Sequence, residues 1–141
     1  MRTVPMTAAA LILALTAGCE QQQQPMTSGT QQVATSGSQA LAPGTTIDFR
    51  VVAGRNPSGC TRFDSALARV HTLTATADGG ASLQTAGGVR RAMTQTSPGI
   101  YTTTLGIGGT NFEIIANAST SPKTLDVTEP RLGCRWNAVA P

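Results

Sequence analysis

"YTTTLGIGGTNFEIIA", Tyr101–Ala116, is the stretch whose reading decides the fold. Tyr101, Thr103, Leu105 and Ile107 alternate with threonines, and Phe112, Ile114 and Ala116 alternate around Glu113. Side chains repeat every two residues along a strand and every 3.6 along a helix, so this period places one apolar and one polar face on each run. Gly108-Gly109 separates the runs. Paired glycines supply the positive φ angles that a tight hairpin turn demands. The stretch therefore reads as two antiparallel strands joined by a short turn.

The same grammar extends in both directions. Ile47, Phe49 and Val51 alternate with Asp48 and Arg50, and Leu125 and Val127 flank Asp126. Asp78-Gly79-Gly80, Gly87-Gly88 and Ser97-Pro98-Gly99 recur at about ten-residue intervals, the spacing of consecutive strands joined by turns. Many threonines and few aromatic residues suit a pleated surface better than a helical bundle. Strands are predicted near 45–53, 68–77, 81–86, 89–95, 100–107, 110–117, 123–128 and 134–139. Ser65–Val70 admits a helical turn instead, because Ala66, Leu67 and Ala68 favour helix. The fold class expected is all-β: a small antiparallel meander of seven or eight strands, barrel-like, with a β-sandwich as the alternative.

Upstream of residue 44 the composition changes. Arg2 supplies positive charge, Met6–Leu15 a short apolar core and Thr16-Ala17-Gly18 small residues before Cys19, the layout of a secretory signal. A membrane span needs roughly 20 apolar residues, and here glutamines begin after about ten. "LTAGC", Leu15–Cys19, resembles the lipobox of bacterial lipoproteins, with Thr16 where leucine is usual. The resemblance implies that residues 1–18 are removed and that Cys19 becomes the lipidated amino terminus, multiply acylated and anchored in a membrane. Residues 19–43 are then a lipidated tether rich in Gln, Ser and Thr, too poor in large apolar side chains to order itself. As a flexible coil of about 24 residues it spans about 25 to 30 Å. Residues 44–141 form the β domain. With Glu20 after the cysteine, the lipoprotein resemblance implies an outer membrane location facing the periplasm.

The chain has three cysteines. An odd count in an exported protein leaves one thiol to explain. Acylation of Cys19 accounts for it, and Cys60 and Cys134 remain as a disulfide pair in an oxidising compartment. Closing a loop of about 75 residues stabilises a fold by roughly 4 to 4.5 kcal/mol. The bridge joins the end of the first strand to the start of the last, which favours closure of the meander.

Chemistry is sparse. His71 is the only histidine, and the carboxylates Glu20, Asp48, Asp64, Asp78, Glu113, Asp126 and Glu129 are scattered singly. No nucleophile, base and acid are brought together as a hydrolytic triad requires, and no cluster has metal-ligand spacing. No enzyme activity, cofactor or metal is expected. Without the leader, nine basic residues face seven acids, a balance of +2, too small for a nucleic-acid footprint. The expected partners are the membrane, through Cys19, and an envelope protein.

Three functions fit such a chain. The first is a structural or protein-interaction module tethered in the envelope. The second is a barrel holding a small ligand at its mouth, where Trp136 and Tyr101 on inward faces would be joined by His71 and Arg91. The third is an inhibitor of a cell-wall-degrading enzyme: size, export and a bridged barrel are similar to membrane-bound lysozyme inhibitors in layout. The lipobox reading makes a direct prediction. Cys19→Ser should move the protein out of the membrane fraction or stall it as an uncleaved precursor, and unchanged fractionation would exclude Cys19 as the anchor.

Overall fold

Alternation of buried and exposed side chains governs almost every element of the β domain. In β9 (Cys134–Ala140) Cys134, Trp136, Ala138 and Ala140 are buried while Arg135, Asn137 and Val139 face out. The computed structural model describes residues 40–141. The expected signal peptide, the expected lipidation site Cys19 and nearly all of the expected tether lie outside the described residues. The other strands are β1 (Thr46–Arg50), β2 (Val52–Ala53), β3 (Val70–Ala75), β4 (Ala81–Gln84), β5 (Arg90–Ser97), β6 (Ile100–Ile107), β7 (Thr110–Asn117) and β8 (Lys123–Glu129). They form one nine-stranded sheet in the order β1-β3-β4-β5-β6-β7-β8-β9-β2, every pairing antiparallel.

The two ends of that order are neighbours in sequence. Only Val51 separates β1 from β2, so one length of chain pairs with β3 first and with β9 next: Phe49 lies opposite His71, and Val52 opposite Asn137. The meander thereby nearly closes into a barrel. What sequence periodicity reads as one strand over 45–53 is two short strands, because Val51, itself buried, marks the point where the chain changes partners. The hairpin from β6 to β7 turns at Gly108 (φ 56°) and Gly109 (φ 78°), both left-handed as this turn type requires.

Between β2 and β3 the chain crosses one end of the barrel as a 3-10 turn (Ser58–Phe63) followed by α1 (Asp64–Leu67). The helical option for this segment is thus realised over 64–67, and β3 begins only at Val70. The crossing is a cap. Phe63 stands edge-on to Phe112 at 4.9 Å and to Trp136 at 6.4 Å, and Phe112 meets Trp136 at 5.7 Å. Such edge-to-face pairs add about 0.5–1.5 kcal/mol each beyond the area they bury. Cys60 joins Cys134 in a disulfide with Cα atoms 5.7 Å apart, bolting the cap to the start of β9.

The bridge encloses a sequence separation of 74 residues. Replacing both cysteines by serine should lower the free energy of unfolding by about 2–5 kcal/mol. A urea titration followed by Trp136 fluorescence measures this; an unmoved midpoint would show that the cap holds without its bolt.

Candidate functional site: a cleft beside the barrel cap

β5 changes partners halfway along. Arg90–Met93 pair with β4, and Thr94–Ser97 pair with β6. The pairing with β6 stops at Thr94 opposite Thr102, although β6 continues to Ile107. At that fork Thr103 Oγ1 donates to the Ala92 carbonyl at 2.9 Å, a side chain standing in where the backbone ladder parts. Beyond it the β4–β5 turn and the β6–β7 turn diverge and leave an open cleft of about 550 Å³. Ala66 and Arg69, on and just after α1, form its third side.

The lining is apolar with two cations. Val89, Leu105 and Ile107 supply aliphatic surface, Arg69 and Arg91 supply charge, and no carboxylate lines the cleft. Arg91 lies opposite buried Leu83 and two residues before buried Met93, so it belongs to the inward face of β5. It is nevertheless exposed, because no strand covers β5 on that side of the fork. Among the described residues neither guanidinium has a hydrogen-bond or ion-pair partner. Two unneutralised charges beside low-dielectric walls concentrate a positive field in the opening.

The other residues singled out from sequence sit elsewhere. Trp136 is 1% exposed, and its Nε1 donates to Asp64 Oδ1 at 2.7 Å, tying β9 to α1. Tyr101 is 1% exposed, and its hydroxyl accepts from the Leu41 amide at 3.4 Å. His71 is 2% exposed, with Nε2 2.9 Å from the Leu67 carbonyl. A carbonyl only accepts, so Nε2 carries the proton. Arg91 lines the cleft; His71, Tyr101 and Trp136 do not. Sequence reasoning missed Arg69, which lies past the end of α1, where no helical or strand period fixes the direction of its side chain.

Among the described residues no three His, Cys, Asp or Glu side chains stand close enough to hold a metal ion. Glu129, buried, accepts a hydrogen bond from the Leu132 amide and so closes the β8–β9 turn. Compared with protein-family models, curated proteins and solved structures, the chain finds no match in any of the three.

Burial of His71 disfavours its charged form and lowers its pKa below 6.5, partly offset by the bond to Leu67. The unfolded chain therefore takes up the proton first as pH falls. Stability is full above about pH 6.5 and declines below it, by up to about 1.4 kcal/mol per pH unit, until the folded-state pKa is passed. His71→Gln, which keeps a donor toward Leu67, should flatten this slope between pH 4.5 and 6.5 in denaturant titrations, where an unchanged slope would clear His71 of the effect.

Proposed function

We propose that this chain is an envelope lipoprotein that acts as a protein-interaction module. Acylated Cys19 holds it in the outer membrane, residues 20–43 space it from the surface, and the β domain offers the cleft beside its cap to a protein partner in the periplasm. The observation that carries this reading is the filled interior. Trp136, Tyr101, Phe49 and Phe112 occupy the barrel with 1% exposure or less, so recognition is left to the outside. A small-ligand barrel needs a lumen that side chains do not fill.

Two further features support it. The Cys60–Cys134 disulfide suits an oxidising compartment, where such bonds persist. The cleft joins apolar surface, exposed at Val89, to two arginines without partners among the described residues, a combination that marks docking sites more often than it serves solubility.

Photo-crosslinking in intact envelopes tests the reading. A photoreactive residue in place of Val89, exposed at the cleft, should yield a discrete protein adduct in the membrane fraction. The same residue at Val139, exposed on β9, should not. Equal adducts from both positions, or a Cys19→Ser chain that stays membrane-bound, would remove the proposal.

A further inference from the structure

The fork in the sheet does more than open a cavity, since it also leaves two strand edges without ladder partners. The two-residue turn at Gly108-Gly109 makes Ile107 and Thr110 a closing pair that exchanges hydrogen bonds. Backbone groups alternate in direction along an antiparallel strand, so Ile107 and Leu105 address β7 while Gly106 and Thr104 address the fork. On β5 the Val89 carbonyl accepts from the Thr85 amide at 2.8 Å, which directs Arg91 toward β4 and Arg90 toward the fork. The ladder between β5 and β6 pairs none of Arg90, Thr104 and Gly106 across the gap. A strand edge of this kind is a template for another extended chain.

We infer that the fork binds an extended acidic peptide segment of a partner protein as an added strand on the free edge of β6, its carboxylates received by Arg69 and Arg91. Three features select this occupant. The edge supplies amides and carbonyls in register for a peptide backbone, at Thr104 and Gly106. An extended segment presents alternate side chains to one face, so an acidic–x–apolar–x–acidic pattern sets an aliphatic residue on Val89, Leu105 and Ile107 between two carboxylates. Both guanidinium groups lack partners among the described residues and no acid lines the cleft, so carboxylates complement it and ammonium groups are repelled. A long acyl chain, by contrast, finds no lumen to enter behind the opening, because the core side chains fill it. The volume of about 550 Å³ lies within the range of roughly 300–1,000 Å³ common to ligand sites.

This inference rests on the cleft being the docking surface named above, and its test separates the two. The probe is a fluorescein-labelled peptide, Thr-Glu-Thr-Val-Thr-Glu-Thr, titrated by anisotropy into the intact protein in zwitterionic lipid nanodiscs. The Glu peptide should saturate, and replacing both Glu by Lys should weaken binding at least about tenfold. N-methylation of alternate peptide amides keeps every side chain and removes donors from one edge of the probe only. It should cost about tenfold on the edge that meets β6 and little on the other. Arg69→Ala with Arg91→Ala should weaken the Glu peptide about tenfold while leaving Trp136 fluorescence unchanged. Equal binding of Glu and Lys peptides, indifference to N-methylation on either edge, or displacement of the Glu peptide by stoichiometric oleate would each overturn the inference. Should crosslinks still arise from position 89 after such a failure, docking at the cleft stands and only the strand-addition mode falls.

Discussion

The Cys60–Cys134 bridge fixes the part of the chain that has the least other reason to stay. Between β2 and β3 the backbone leaves the sheet and crosses the barrel end as a 3-10 turn and a single turn of α-helix. A helix that short has no stability of its own, since nucleation costs more than one turn returns. What holds it is tertiary. The disulfide anchors its first half to β9, Phe63 packs into the Phe112–Trp136 corner, and Trp136 Nε1 binds Asp64. All three attach the cap to the last strands of the sheet, so the cap also clamps together the beginning and the end of the folded chain.

That clamp explains why the barrel closes on one flank and opens on the other. At Val51 the first strand passes from β3 to β9, and the Val51 amide donates to the Arg69 carbonyl where the chain leaves the cap. At the opposite corner β5 makes a similar exchange, from β4 to β6, with no covalent or aromatic fastening over it. A Thr103 hydroxyl bonded to the Ala92 carbonyl is all that replaces the ladder there. The cleft is the geometric remainder: strand ends that the ladder does not join, with Ala66 of the cap along one side. Gly80 shows how tight the neighbouring hairpin is by comparison, since an added Cβ would lie 3.2 Å from the Met93 carbonyl oxygen.

Much of this was legible in the residues and some was not, for reasons that are physical. Strands β7 and β9 declare themselves because each buries one face completely, so alternation is clean, and the glycine pairs mark turns that need positive φ. The disulfide followed from counting thiols. The change of partner at Val51 was invisible because Ile47, Phe49 and Val51 keep a strict alternation across it, and periodicity reports which way a side chain points, not which strand lies beside it. β5 was harder still. Of its eight residues only Met93 is fully buried, so its pattern carries little information on register or on where pairing stops. Periodicity left Arg91 open between the inward set and solvent; register places it on the inward face, yet it is exposed. Its exposure depends on a strand being absent beside it, which is a property of the whole sheet. Cys19 and the expected leader lie outside the described residues, and their reading stands on the lipobox-like sequence alone.

The proposed anchor changes what the cleft must achieve. An edge of about two free residues, Thr104 and Gly106, supports only a handful of backbone hydrogen bonds, each worth about 0.5–1.5 kcal/mol net. Two exposed arginines add modestly once solvent screening is counted. Such a site is weak in free solution. Confinement alters the arithmetic, because the proposed anchor at Cys19 would keep the domain near the membrane, where linked sites meet at effective concentrations near the millimolar range. A partner held in the same membrane or in the layer next to it would be engaged by contacts that could not capture it from dilute solution. Weak edge pairing, a cleft left open by the fork and the proposed lipid on Cys19 would thus make one consistent device, in which position supplies the affinity that the small barrel cannot.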